Sequence, residues 1–296
     1  MRRARTGNGA SRACRTYSIT KKVNVPLRHR GFIALSFLSL LVISRSVALA
    51  SEDQPKSGQL GKDVVWVPSP TVMVEKLLNM AQVTRQDYVI DLGSGDGRSV
   101  IAAAKRGARA HGIEYDAGLV AVSQREAAKS GLSDKATFQQ GDVFASDFSN
   151  ATVIFLFLTP EMNIRLRPRL LDLKPGTRIV ANTFGIGDWN ADETSMIADN
   201  CERFCTARLW IVPARVAGTW QMGEKKMSLK QNYQTFSGVL KAANGVTPIA
   251  GRLRGERIFF GGSKTQFTGR VAGQVIDGIE RTEGKDRPFK ATRTGN

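Results

Sequence analysis

Histidine and cysteine are nearly missing from this chain. Its 296 residues include two histidines and three cysteines, and beyond Ala50 only His111, Cys201 and Cys205 remain. A Ser–His–Asp or Cys–His hydrolase needs a base beside its nucleophile. The single downstream histidine lies in "ARAHGIEY", which reads as the interior of a strand. A structural zinc site needs more ligands than two thiols, so no metal is expected. Cys201 and Cys205, in "CERFC", read as plain half-buried thiols. A disulfide is the lesser reading, favoured only if the compartment is oxidising.

Acidic residues are missing from the first 50 positions, which carry ten Lys or Arg and no Asp or Glu. Residues 51–215 have a net charge of −1, and residues 216–296 have +8. The overall +17 therefore belongs to the two ends. A balanced middle argues against nucleic acid as a specific partner. The basic C-terminal piece allows contact with an anionic membrane surface.

A long apolar run is absent too. Residues 32–43 form an apolar stretch of 12, short of the roughly 20 that cross a bilayer. Arg28 and Arg30 precede it, and Ala48 and Ala50 follow at the small-residue positions of a cleavage site. Residues 1–50 thus read as a signal that exports the rest, to a periplasmic or membrane-associated location. An uncleaved anchor and a mitochondrial presequence stay open.

What is present is alternation. Residues 51–63 are polar and read as a linker. From residue 64 to 215, apolar strands alternate with helical patterns, which predicts an α/β, Rossmann-like doubly wound sheet. Thr159 and Pro160 open one helix, and Pro168 is expected to kink it or end it early. From 216 to 290 the helical period disappears and short β-like runs are separated by glycine. This predicts a small antiparallel β-meander, or a partly closed barrel, followed by a tail at 291–296. Inside it, "GRLRGERI" (251–258) and "GRVAGQVI" (269–276) repeat one pattern 18 residues apart, as two successive hairpins would.

The chemistry concentrates in "YVIDLGSGDGRSV". Gly93, Gly95 and Gly97 follow a strand and precede a helix, so the backbone can turn tightly against a ligand. Arg98 stands where a dinucleotide fingerprint has its third glycine. Asp91 and Asp96 flank the turn and would repel a diphosphate. They suit a ligand with a cationic or zwitterionic end, such as S-adenosylmethionine, with Ser94 in the same turn. Glu114 ends the next strand, where a carboxylate can accept both ribose hydroxyls. Asp142 and Val143 end the third, placed for an adenine. These residues are the candidate cofactor site.

On "VIDLGSGDG", Glu114 and "GDV" (141–143), the chain resembles the class I S-adenosylmethionine-dependent methyltransferases over about 64–190. With "VPSP", "FLTPEMNIRLRPRLL" and "ANTFGIGDW" it is similar, within that class, to the small lysine methyltransferases related to the one that modifies the c-subunit of ATP synthase. The resemblance implies methyl transfer to a protein lysine, by direct displacement and without a metal. The protein substrate would present an accessible lysine and could be membrane-associated. Thr159, Pro160 and Trp189 are the expected acceptor-side wall. A small-molecule or lipid methyltransferase, and an exported binding protein that has lost the cofactor, are the alternatives. An NAD-dependent enzyme is disfavoured by the acids around the turn.

Overall fold

The computed structural model describes residues 56–61, 63–198 and 201–295, so the targeting segment read at 1–50 lies outside the described residues. The apolar alternation produces five parallel strands and four helices. They are α1 (Thr71–Met80), β1 (Tyr88–Leu92), α2 (Arg98–Lys105), β2 (Arg109–Glu114), α3 (Ala117–Lys129), β3 (Ala136–Gln140), β4 (Val153–Leu156), α4 (Pro160–Leu171) and β5 (Arg178–Asn182). Two further strands, β6 (Glu193–Met196) and β7 (Thr206–Ile211), complete a seven-stranded sheet of order β3-β2-β1-β4-β5-β7-β6. The last two join in antiparallel register, β7 against β5 and β6 against β7.

Each strand alternates between two cores because successive side chains face opposite ways. Val89, Val153 and Phe155 meet α1, α2 and α3, whereas Ile90, Leu92, Ile154 and Leu156 meet α4 and two tryptophans. Burial on both faces explains the unbroken apolar run of β4. Asp116 caps α3, accepting from the N–H groups of Gly118 and Leu119. Pro168 does not end α4, which continues to Leu171. The loss is small, because only the last turn follows the missing N–H.

The C-terminal piece is a closed barrel, not an open meander. Its strands are β8 (Gly218–Met222), β9 (Lys225–Asn232), β10 (Thr235–Ala242), β11 (Gly245–Arg254), β12 (Arg257–Gly261), β13 (Thr265–Ala272), β14 (Val275–Thr282) and β15 (Lys285–Gly295). Neighbours in sequence pair antiparallel, and β15 returns to β8 through Thr292–Gln221 and Arg293–Trp220. Residues 292–295, expected to be a tail, thus form the closing seam, and Ala291 just before them is fully buried against β14. Closure removes both free sheet edges.

The internal echo corresponds to two hairpins, β11–β12 and β13–β14. In each, a glycine with positive φ makes the turn (Gly255, +62°; Gly273, +59°). Equivalent apolar residues, Leu253 and Val271, then Ile258 and Ile276, are buried inside the barrel. Phe236, Phe260, Phe267 and Phe289 pack on one another in the same interior. Charged residues such as Lys226, Lys230 and Arg257 take the outward positions, the reverse of a lipid-facing barrel.

Sheet and barrel belong to one compact unit. Trp189 Nε1 donates to Gln234 Oε1 at 2.9 Å, and Gln234 Nε2 donates to the Asn190 carbonyl at 2.8 Å. Arg252 reaches Asp192 at 2.7 Å, and the Ala214 N–H donates to the Gly255 carbonyl at 2.9 Å.

Candidate active site

The parallel strands 3-2-1-4-5 leave a switch point between β1 and β4, because successive crossovers leave β1 in opposite directions. A cavity of about 560 Å³ lies there, at the carboxyl ends of the strands. Its floor is the glycine turn. Gly93, Gly95 and Gly97 have φ of +83°, +55° and +79°, a region that a side chain disfavours. The N–H groups of Gly93 and Ser94 donate to the Ile113 carbonyl at 2.8 and 3.1 Å, which ties the turn to the end of β2.

Glu114 is the centre of the site. Its carboxylate borders the cavity and accepts from the Gly95 N–H at 2.8 Å and the Asp116 N–H at 2.9 Å. One side chain therefore holds the glycine turn and the start of α3 in register. Asp142 and Val143 also line the cavity, and Asp142 Oδ1 accepts from the Phe144 N–H at 2.8 Å. Arg169, on α4, pins this loop through the carbonyls of Val143, Phe144 and Ser146.

Seven of the nine predicted cofactor residues line this cavity: Gly93, Ser94, Gly95, Asp96, Glu114, Asp142 and Val143. Two do not. Gly97 caps α2 and packs under Phe138 and Ser123, where a Cβ would come within 2.8 Å of both. Asp91 is buried beneath the turn and accepts from the Ser99 hydroxyl. Strand alternation turns it away from the cavity and toward α2.

Burial pushes the Asp91 carboxyl up to about 7 against the opposing effect of the Ser99 hydrogen bond, and the charges of Glu114 and Asp96 push it further. A raised acid makes the folded state hold a proton that the unfolded chain has lost. Stability should therefore fall as pH rises from about 4 to about 7, by at most ~1.4 kcal/mol per unit. Asp91→Asn should flatten that slope and be the more stable form at pH 8. Urea titrations of both proteins at pH 5, 6, 7 and 8 check this; parallel curves would refute it.

The acceptor-side expectations fare differently. Thr159 caps α4, accepting from the Met162 N–H at 3.3 Å, and Pro160 is the first helical residue. Neither lines the cavity. Its wall on this side is Phe157, Leu158 and Met162. Trp189 is corrected outright. It is 1% exposed, stacks on Tyr233 and joins the sheet to the barrel. Its place after β5 suggests a wall, but the barrel covers that position.

Sequence reasoning misses the fourth wall. Residues 59–61 and 63–69, partly assigned to a linker, cross the cavity mouth. The segment folds back on itself, with Trp66 N–H donating to the Gln59 carbonyl and Gly58 N–H to the Trp66 carbonyl. Trp66 lies directly on Gly95, where an added Cβ would approach Trp66 Nε1 to 2.3 Å. Arg98 holds the segment down: its Nη1 donates to the Ser69 carbonyl at 2.9 Å, and its other nitrogens grip Asp96. The aromatic in "VVWVPSP", next to two prolines, was the available signal.

Cys201 and Cys205 form a disulfide, with Cα atoms 5.7 Å apart. The expectation of free thiols is therefore corrected. At a spacing of four, a helix would seldom allow a bridge, but "CERFC" is an irregular loop that brings the sulfurs together.

An acid at the end of β2, a glycine turn after β1 and a polar loop after β3, around one cavity of a sheet with this order, define a class I methyltransferase domain. A family described as "ANTKMT methyltransferase domain" matches residues 91–193. The protein-lysine N-methyltransferase of Saccharolobus islandicus (strain REY15A) is 38% identical over 139 residues, 46% of this chain and 86% of that protein. The human lysine N-methyltransferase of the ATP synthase c-subunit is 34% identical over 131 residues, 44% of this chain and 56% of that protein. Among solved structures, an RNA methyltransferase from Salinibacter ruber in complex with S-adenosyl-L-homocysteine is 41% identical over 51% of this chain and 96% of its own, with a TM-score of 0.48. The chain belongs to the methyltransferase family that these lysine-modifying relatives represent. It spans between half and two thirds of the mammalian ATP synthase-modifying relatives and most of the archaeal one. The family match ends before β8, so the barrel lies outside it.

Proposed function

We propose that the protein transfers a methyl group from S-adenosylmethionine to the amine of a protein lysine. The observation that carries this reading is the convergence of the glycine turn, Glu114 and residues 141–143 on one cavity, in a chain whose relatives methylate lysine. The residues present fit that cofactor. Glu114 would accept the ribose hydroxyls, Asp142 and Val143 would meet the adenine, and the open backbone at Gly93 and Gly95 would receive the amino-acid end. Asp96 supplies negative charge where that end carries an ammonium.

The cofactor supplies an already activated methyl, so the chain's task is positioning and exclusion of water. Residues 59–61 and 63–69 cover the cavity, and Phe155, Phe157 and Leu158 make its acceptor side apolar. An amine brought there loses hydration, which favours the neutral, nucleophilic form.

The export reading belongs to this proposal. The Cys201–Cys205 disulfide supports an oxidising compartment. The +8 charge of residues 216–296 supports a barrel lying against an anionic surface that carries the substrate. Fusing residues 1–50 to alkaline phosphatase tests export, since that reporter is active only outside the cytoplasm.

The function itself is tested by calorimetric titration of S-adenosylmethionine and S-adenosylhomocysteine into the purified protein, followed by transfer of labelled methyl to lysine-containing membrane proteins. Micromolar binding, with label recovered as methyl-lysine after acid hydrolysis, is the expected result. A folded protein that binds neither compound would refute it.

A further inference from the structure

Three phenylalanines gather at the cavity's end of the sheet. Phe157 follows β4 and lines the cavity, Phe184 follows β5, and Phe204 precedes β7. Their ring centroids are 5.2 to 6.3 Å apart, and all three rings are only half-buried. None has a polar tip to satisfy water. A contiguous aromatic patch left partly open beside a cavity points to an occupant.

The backbone is held in unusual shapes to present two of these rings. Thr183, just before Phe184, has φ +60°, and Phe204 itself has φ +59°. A β-branched or bulky residue disfavours this region, and such strain persists where the surroundings enforce it. They do so here. The Thr183 N–H donates to the Thr206 carbonyl at 2.6 Å, and Arg208 Nε donates to the Thr183 carbonyl at 2.9 Å. Phe204 lies within the loop closed by the Cys201–Cys205 disulfide.

Resting on the methyltransferase reading above, we propose that Phe157, Phe184 and Phe204 form the channel through which the acceptor lysine reaches the cavity, with the disulfide loop positioning Phe204. The chemistry matches the occupant. A lysine side chain has an apolar stem and a cationic head. Ring faces attract the cation, and apolar walls take the stem. Methylated lysine keeps its charge and fits the same rings.

The test uses two probes, Nα-acetyl-trimethyllysine amide and the neutral Nα-acetyl-norleucine amide. Each is titrated into the full protein with and without S-adenosylhomocysteine, followed by NMR. The wild type should prefer the charged probe. Phe184→Ala and Phe204→Ala should each weaken it about tenfold, with S-adenosylhomocysteine affinity unchanged. Phe204→Leu, which keeps apolar volume, should lose the preference for charge. Reducing the disulfide should weaken the charged probe about threefold, at constant S-adenosylhomocysteine affinity. Equal binding of the two probes, or of the charged probe to wild type and the alanine variants, would overturn the channel and leave the cofactor site standing. An unchanged reduced protein would overturn the disulfide's role. Absence of S-adenosylhomocysteine binding would overturn the cofactor reading, while the titration without it still decides the channel.

Discussion

Glu114→Ala should bind S-adenosylhomocysteine about a hundredfold to a thousandfold more weakly than the wild type. Two losses combine. The ribose hydroxyls lose a charged acceptor, and hydrogen bonds to charged groups contribute about 1.5–3 kcal/mol each. The glycine turn also loses its brace, because Glu114 accepts from the N–H groups of both Gly95 and Asp116. Glu114→Gln keeps one acceptor oxygen and should lie between. Calorimetry at matched protein folding, confirmed by circular dichroism, measures the difference. An affinity within threefold of wild type would mean that the adenosine lies elsewhere.

Trp189→Ala should destabilise the protein by about 3–5 kcal/mol, the usual cost of truncating a large buried aromatic. Trp189 packs on Trp210 and Tyr233, and its indole N–H is satisfied by Gln234 of the barrel. Removal leaves a cavity at the seam and an amide without its partner. For a unit of this size, each kcal/mol lowers the melting temperature by roughly 2–4 °C, so a fall of about 6–20 °C is expected. Trp189→Phe should recover most of it. At a temperature where both proteins are folded, methyl transfer should be nearly unchanged. Reduced kcat/KM with unaltered stability would restore Trp189 as an acceptor contact.

The parts of the site that were legible in sequence are local. A glycine turn between a strand and a helix is a property of about a dozen consecutive residues. So is an acid at a strand's last position, or Asp116 as a helix cap. Once the strands are parallel, their carboxyl ends must meet, and Glu114 and Asp142 come to the same cavity as the turn. Thr159 and Trp189 differ from expectation for the opposite reason. Their neighbours in sequence suggest the cavity, but their side chains are claimed by a helix cap and by the barrel.

Periodicity and spacing by themselves determined the class of sheet, the position of the glycine turn, the acids around it and the hairpin order of the C-terminal strands. Each follows from steric and hydrogen-bonding rules that act over a few residues. Tertiary structure alone decided the remainder. It turned Asp91 away from the cavity, laid Trp66 over Gly95, joined Cys201 to Cys205 and closed β15 onto β8. It also brought Phe157, Phe184 and Phe204 together from positions up to 47 residues apart. These contacts depend on which surfaces meet once the chain has collapsed, and no local preference of the residues involved specifies that meeting.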